Sequence, residues 1–287
     1  MLIGGKEFDF DKHFYIMGIL NVTPDSFSDG GKYYDMDSAL FRVEEMIKEG
    51  ADIIDVGGES TRPGHQKISE DFEIYRVVPA IEAIKRKFDV PVSLDTYKYK
   101  VAAAGIKAGV DLINDIWGLK WDSLNNEEGI QDDAVNFAMA KEIAKGKVPC
   151  CLMHNRHIEG DVKESYVNLI DDVVNDLKDS VDIALEFGIA KENIMLDPGI
   201  GFAKDCEQNL IMMNNLDKLC KLDYPVLLGA SRKSMIGLTL DLPTDERMEG
   251  TVATSVIGYQ KGCRIFRVHD VKENRRALQM TEAIMNS

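Results

Sequence analysis

Eight short apolar runs, each followed by a longer stretch with helical spacing, predict an α/β fold: a parallel sheet closed into a (β/α)8 barrel. The runs are continuous rather than alternating, as in strands covered on both faces. Run and amphipathic stretch alternate from residue 14 to residue 285 with no linker and no low-complexity segment, so the chain reads as a single domain over 1–287. Eight such units in about 250 residues favour closure over an open doubly wound sheet.

The first run, residues 14–20 (FYIMGIL), ends in the turn-rich Asn-Val-Thr-Pro-Asp. Over 37–48 the residues Leu40, Val43, Met46 and Ile47 recur at helical spacing, and Gly50 stops that helix. Residues 53–56 form the next strand, followed by Gly57-Gly58. The unit then recurs, with a helix over 69–88 before strand 92–94, and a helix over 98–107 before strand 112–113. The stretch 120–133 (KWDSLNNEEGIQDD) is polar and acidic and reads as a solvated loop after the fourth strand. A helix over 132–145 leads to strand 148–153, and a long helix over 165–187 leads to strand 194–196. A helix over 207–219 precedes strand 226–228, a helix over 247–260 precedes strand 264–266, and 271–285 is the last helix.

Composition narrows the function classes. Hydrophobic residues make up 45% and charged residues 29%, the balance of a soluble globular protein. The formal charge of −15 opposes binding to nucleic acid or to an acidic membrane surface. The N-terminus lacks a basic region followed by an apolar run, and no stretch reaches the roughly 18 apolar residues of a membrane span. Five cysteines, none in a CxxC pair, read as reduced thiols of a cytoplasmic protein.

In a barrel of this kind the active site lies at the C-terminal ends of the strands. Those ends carry Asn21, Asp55, Asp95, Asn114-Asp115, His154-Asn155, Asp197, then Ser231-Arg232-Lys233, and finally Arg267 with His269. One strand-end Asp is often a helix N-cap. Polar groups at every strand end instead surround a polar ligand, because buried polar groups cost free energy unless satisfied. Asp95, Asn114 and Asp197 offer acceptors and an amide, which suit a flat heterocycle bearing N–H donors, such as a pterin or guanine edge. Arg62, Lys233, Arg267 and His269 offer donors and positive charge, which in so acidic a chain point to an anionic group such as phosphate. There is no Walker A loop and no GxGxxG between strand and helix. His154 reads as a satisfied strand-end histidine rather than a metal ligand, since no multi-histidine pattern exists. Any metal is then expected to be a hard ion such as Mg²⁺, held by oxygen and substrate phosphate.

These residues fall within segments that resemble the dihydropteroate synthase family of pterin-binding TIM barrels. Residues 17–31 (MGILNVTPDSFSDGG) and 55–64 (DVGGESTRPG) look like its first two signatures. Residues 93–96 (SLDT), 113–116 (INDI), 197–204 (DPGIGFAK), 229–234 (GASRKS) and 267–271 (RVHDV) follow in family order. The resemblance implies a transferase of folate biosynthesis. It joins 6-hydroxymethyl-7,8-dihydropterin pyrophosphate to p-aminobenzoate, giving 7,8-dihydropteroate and pyrophosphate.

It also implies residue roles. Asp95, Asn114, Asp197 and Lys233 would contact the pterin, and Asn21, Thr61, Arg62, Arg267 and His269 the diphosphate, with Mg²⁺ held with help from Asn21. Phe27, Thr61, Arg62, Pro63, Phe202, Lys233 and Ser234 would form the p-aminobenzoate pocket, where the family also binds sulfonamides. Asp95, Asp197, Lys233, Arg267 and His269 would carry the catalysis. An aniline nitrogen is a weak nucleophile, so the expected reaction is SN1-like, with departure of diphosphate assisted by Mg²⁺, Arg62, Arg267 and His269. The alternatives are a methyltetrahydrofolate-dependent methyltransferase, which has no diphosphate to bind, and a silent pterin-binding homologue. The resemblance further implies a homodimer through residues 247–260 and 271–285, whose Val252, Val256, Ile257, Leu278 and Ile284 lie on helical spacing.

Overall fold

Side chains of a strand alternate between its two faces, and in this protein that alternation builds two separate interiors. The computed structural model describes residues 1–22, 36–60, 67–124, 137–158 and 160–287. A two-residue hairpin pair opens the chain, β1 (Leu2–Ile3) and β2 (Lys6–Glu7), antiparallel to each other. The eight strands of the main sheet among the described residues are β3 (Tyr15–Asn21), β4 (Ile53–Gly57), β5 (Val92–Asp95), β6 (Leu112–Asp115), β7 (Cys150–Met153), β8 (Ile194–Asp197), β9 (Leu227–Leu228) and β10 (Ile265–Val268). They are parallel, in the order β8-β7-β6-β5-β4-β3-β10-β9. A parallel bridge between Leu196 and Val226, with Leu196 N–H donating to Pro225 O at 2.9 Å, joins the two ends and closes the barrel.

One residue from almost every strand fills the barrel's lower interior: Met17, Ile53, Leu112, Cys151, Met195, Leu227 and Ile265. Ile3 and Phe8 of the N-terminal hairpin pack under this layer and close the barrel floor. The exception is β5, which places Ser93 opposite Asp55. Two residues further along the strands the inward positions turn polar, with Asp55, Asp95, Asn114, Asp197 and Arg267. The other face carries Ile16, Ile54, Leu94, Ile113, Leu152, Leu196 and Phe266 into a second core against the helices. Continuous apolar runs in the sequence therefore reflect two cores, and the inward polar residues mark the upper end of one of them.

The helices are α1 (Met36–Glu49), α2 (Glu70–Lys87), α3 (Tyr99–Ala108), α4 (Trp121–Leu124), α5 (Ala138–Gly146), α6 (Leu169–Glu186), α7 (Cys206–Asn214), α8 (Leu216–Cys220), α9 (Ser234–Leu240), α10 (Met248–Lys261) and α11 (Val271–Met285). Four places differ from expectation. The helix expected over 207–219 is two helices, because Asn215 leaves helical geometry and its side-chain amide donates to Ile211 O at 2.8 Å. The helix expected from 165 begins at Leu169, after a 3-10 turn at Val162–Ser165 and the Asn168 cap. Helix α9 was not expected: it is too short for an apolar period to show. Its Gly237 lets the Arg247 guanidinium approach, since a Cβ there would lie 2.1 Å from Nη2. The polar stretch after β6 opens with α4, and 125–133 lie outside the described residues.

Of the apolar residues on the last two helices, Leu278 is core, whereas Ile257 and Ile284 are exposed. No helix among the described residues is long and apolar enough to cross a membrane.

The barrel floor gives a first prediction. Ile3→Ala should lower unfolding stability by about 2–5 kcal/mol, as for other buried large-to-small changes. Urea denaturation checks it, and a loss within error of zero would show that the hairpin is not part of the core.

Candidate active site

The upper interior is organised around Arg267 on β10. Its Nε donates to Asp55 Oδ2 at 2.6 Å and its Nη2 to Asp95 Oδ2 at 2.6 Å. Asn114 Nδ2 donates to the same Asp55 oxygen at 3.4 Å. One guanidinium thus serves two carboxylates, Asp55 fully buried and Asp95 nearly so. Burial pushes the Asp95 carboxyl up to about 7, against the pull of Arg267 and helped by neighbouring Asp55. Burial opposes the Arg267 charge, but Asp55 and Asp95 outweigh it and hold the guanidinium above its ordinary value.

Three buried acceptors at this level have no hydrogen-bond partner among the described residues: Asp55 Oδ1, Asp95 Oδ1 and Ser93 Oγ. Unsatisfied buried oxygens are costly, so they indicate a site completed by a ligand that donates hydrogen bonds.

Asp197 ends β8, and its Oδ1 accepts from Gly199 N–H at 2.7 Å. Gly199 has φ +66°, and a Cβ there would lie 2.0 Å from the His154 carbonyl oxygen, so the turn requires glycine. Burial raises Asp197 against the pull of Lys233. Lys233 donates to Ile200 O and lies 4.6 Å from the centre of the Phe202 ring. Burial lowers its amine to about 8 despite Asp197. Asp197 Oδ2 and Arg267 Cδ both lie near the Cβ position of Gly229, at 3.5 and 4.0 Å, so the Asp197–Lys233 group adjoins the Arg267 group. Asn21 Oδ1 and Asp95 Oδ2 likewise flank Gly57, at 3.5 and 3.7 Å, which brings Asn21 to the same rim.

His269 sits beside Ser231, whose Oγ lies 3.0 Å from Nδ1 and accepts from the His269 N–H at 3.2 Å. Ser234 is exposed in the first turn of α9, next to Lys233. Phe27, Thr61, Arg62 and Pro63 lie outside the described residues. The structure therefore brings Asn21, Asp95, Asn114, Asp197, Phe202, Lys233 and Arg267 to one end of the barrel.

Asp55 and Ser231 received no role from the sequence, yet they set the orientation of Arg267 and His269. For Asp55 the signal was present: it lies two residues beyond Ile53 and so on the inward face.

His154 is a satisfied buried histidine. Its Nδ1 accepts from Lys204 Nζ at 2.9 Å, which leaves Nε2–H to donate to Asp176 Oδ2 at 3.0 Å. Among the described residues no group of three or more His, Cys, Asp or Glu could hold a metal ion.

The family model described as pterin binding enzyme matches residues 17–269. The chain belongs to this pterin binding enzyme family. It is 58% identical over 286 residues to the dihydropteroate synthase of Clostridium beijerinckii, covering 99% of each chain. It is similar to the crystal structure of a Clostridium difficile dihydropteroate synthase in the presence of pteroic acid, with TM-score 0.85, 46% identity, and coverage of 98% of this chain and 100% of that one. It is also similar to a Yersinia pestis dihydropteroate synthase with a sulfonamide drug, with TM-score 0.87, 39% identity, and coverage of 100% and 99%. As a pterin binding enzyme, the chain has its expected barrel, and the match spans the strand ends that carry the polar ring.

Two predictions follow from the buried charges. Arg267→Met strands two carboxylates and should cost about 3–5 kcal/mol. Denaturation at pH 8 checks it, and wild-type stability would mean that the pairing is not formed. The second concerns His154, which burial, reinforced by the Lys204 ammonium, lowers to about 4 from 6.5. Between these values the unfolded chain binds a proton that the folded chain does not, so the His154 contribution is lost as pH falls. Asp95 and Asp115, both raised to about 7 by burial, act in the opposite sense, so the effect is read as a difference. From pH 6.5 down to 4, wild type should lose on the order of 3 kcal/mol relative to His154→Asn. A pH-independent difference would show that the imidazole is not held neutral.

Proposed function

We propose that this pterin binding enzyme is a dihydropteroate synthase, joining 6-hydroxymethyl-7,8-dihydropterin pyrophosphate to p-aminobenzoate and releasing pyrophosphate. The observation that carries the reading is the pair of buried carboxylate oxygens without a partner among the described residues, Asp55 Oδ1 and Asp95 Oδ1, beside Arg267 in the upper barrel. A pterin edge is rich in N–H donors and answers such acceptors. The relatives' pteroic acid and sulfonamide complexes are consistent with it.

In this reading Asp95, Asn114, Asp197 and Lys233 hold the pterin. Asn21, Arg267 and His269, with Thr61 and Arg62, face the diphosphate. Phe202, Lys233 and Ser234, with Phe27, Thr61, Arg62 and Pro63, receive p-aminobenzoate, and the same pocket would take a sulfonamide. The site contains fixed, buried charges, which suits a reaction that separates charge rather than one that needs a protein nucleophile. As diphosphate leaves, positive charge develops on the pterin ring. Asp95 and Asp197, the carboxylates that hold the ring, stabilise that charge. Arg267, fixed by Asp55, and His269, fixed by Ser231, donate to the departing oxygens.

A divalent metal fits this donor set. Asn21 brings a single neutral oxygen to the rim, and a hard ion such as Mg²⁺ takes most of its ligands from phosphate and water. When bound, Mg²⁺ would neutralise charge on the diphosphate. The described parts of α10 and α11 expose Ile257, Met280 and Ile284, which would form the homodimer face. The place of action would be the cytoplasm.

Pyrophosphate release from the pterin substrate, with and without p-aminobenzoate, tests the function. The expected result is Mg²⁺-dependent release with formation of dihydropteroate, abolished by EDTA. Release without p-aminobenzoate, slower than with it, would support departure before attack. No release, with methyltetrahydrofolate bound, would move the assignment to a methyltransferase. Asp95→Asn should lower kcat by about 10²-fold, the scale of a removed electrostatic contact, and an unchanged kcat would remove Asp95 from the catalytic set.

A further inference from the structure

Lys204 is the most unusual cation in the protein. It is 8% exposed, and among the described residues no carboxylate lies within salt-bridge distance of its ammonium. Buried lysines are rare, and a buried charge is normally paired. Here the three ammonium hydrogens go to neutral acceptors instead: Gly199 O at 3.1 Å, Phe202 O at 3.2 Å and His154 Nδ1 at 2.9 Å. Two of these acceptors belong to the turn between β8 and α7. That turn begins with Asp197 and carries the Phe202 ring that lies against Lys233.

The anchor continues away from the site. His154 is tied through its backbone N–H to Asp197 O at 2.9 Å and through Nε2–H to Asp176 on α6. Asp176 also accepts from Arg156, whose Nη1 donates to Ser165 O at 2.6 Å. Burial, opposed by these His154 and Arg156 contacts, leaves Asp176 below its ordinary range, so it is an anion fixed in place. Lys204, His154 and Asp176 therefore form a rigid line from α6 to the carbonyls of the turn. A side chain without donors in place of Lys204 would leave the Phe202 carbonyl and an imidazole nitrogen without one, and Gly199 O with only the Phe202 N–H at 3.0 Å.

We propose that Lys204 is a positioning residue for the p-aminobenzoate pocket: its ammonium fixes the 199–204 turn so that the Phe202 ring stays against the Lys233 side chain. The inference rests on the assignment of Phe202 to that pocket. It places no reacting atom on Lys204 itself. The pterin contacts of Asp95 and Asn114 come from other strands, while Asp197 and Lys233 adjoin the turn, so the effect of losing Lys204 falls more heavily on p-aminobenzoate than on the pterin.

Steady-state kinetics on wild type, Lys204→Met, Phe202→Ala and the double variant test it. Lys204→Met should raise the KM for p-aminobenzoate about tenfold while leaving the KM for the pterin diphosphate within about threefold. In the Phe202→Ala background the same change should add less than about threefold, because the two residues act in one unit. Lys204→Arg, which keeps a cation and several donors, should recover part of the loss. An unchanged p-aminobenzoate KM, equal effects on both substrates, or full additivity with Phe202→Ala would overturn the proposal. If Lys204→Met does not fold, Asp176→Asn, at the partly exposed far end of the line, must raise the same KM by at least about twofold, and no change there overturns it. An inactive wild type would instead remove the synthase reading and this inference with it, which is distinct from an active wild type whose KM ignores Lys204.

Discussion

The guanidinium of Arg267 has to balance the carboxylates of Asp55 and Asp95 in a space that the barrel wall largely screens from water. Much of the architecture serves that balance. The strands must be in register for side chains from β4, β5 and β10 to meet, and the two-residue alternation must hold in each of them. The lower interior must be apolar and full, or water would reach the charges from below. The Ile3 and Phe8 plug and the layer from Met17 to Ile265 fill that space. The open oxygens at the top are what remains when one cation serves two anions, and they give the mouth its preference for a donor-rich ligand.

The charges are graded rather than merely present. Asp95 and Lys233 are displaced toward neutrality from opposite sides, to about 7 and about 8, by the same physical cause, burial. Groups so poised respond strongly to a nearby charge. His154 and Lys204 behind the site are displaced too, to about 4 and about 7, and spend their polarity on holding backbone in place. A perturbed group in this protein is therefore not always a reacting one.

The barrel was legible in the sequence because parallel strands buried on both sides leave continuous apolar runs, and because glycine marks several helix ends. The ring at the strand ends was legible for a related reason: Asp95, Asn114, Asp197 and Arg267 interrupt those runs at the same relative place. What stayed hidden depended on partners distant in the chain. Asp55 meets Arg267 across 212 positions, so its place on the inward face was legible but its partner was not. Lys204 lies at the end of a recognised segment, yet its three acceptors come from two separate strand ends. The break at Asn215 turns on one side-chain amide competing for a helix carbonyl. Helix α9 is too brief for its period to emerge.

The plug at the barrel floor has a consequence for synthesis. A ribosome makes residues 3 and 8 well before the strands they pack against, which include Leu227 and Ile265. Ile3 and Phe8 must therefore wait, unsatisfied, until those strands have emerged. Folding that depends on such late closure is slow and leaves partly built sheet edges exposed.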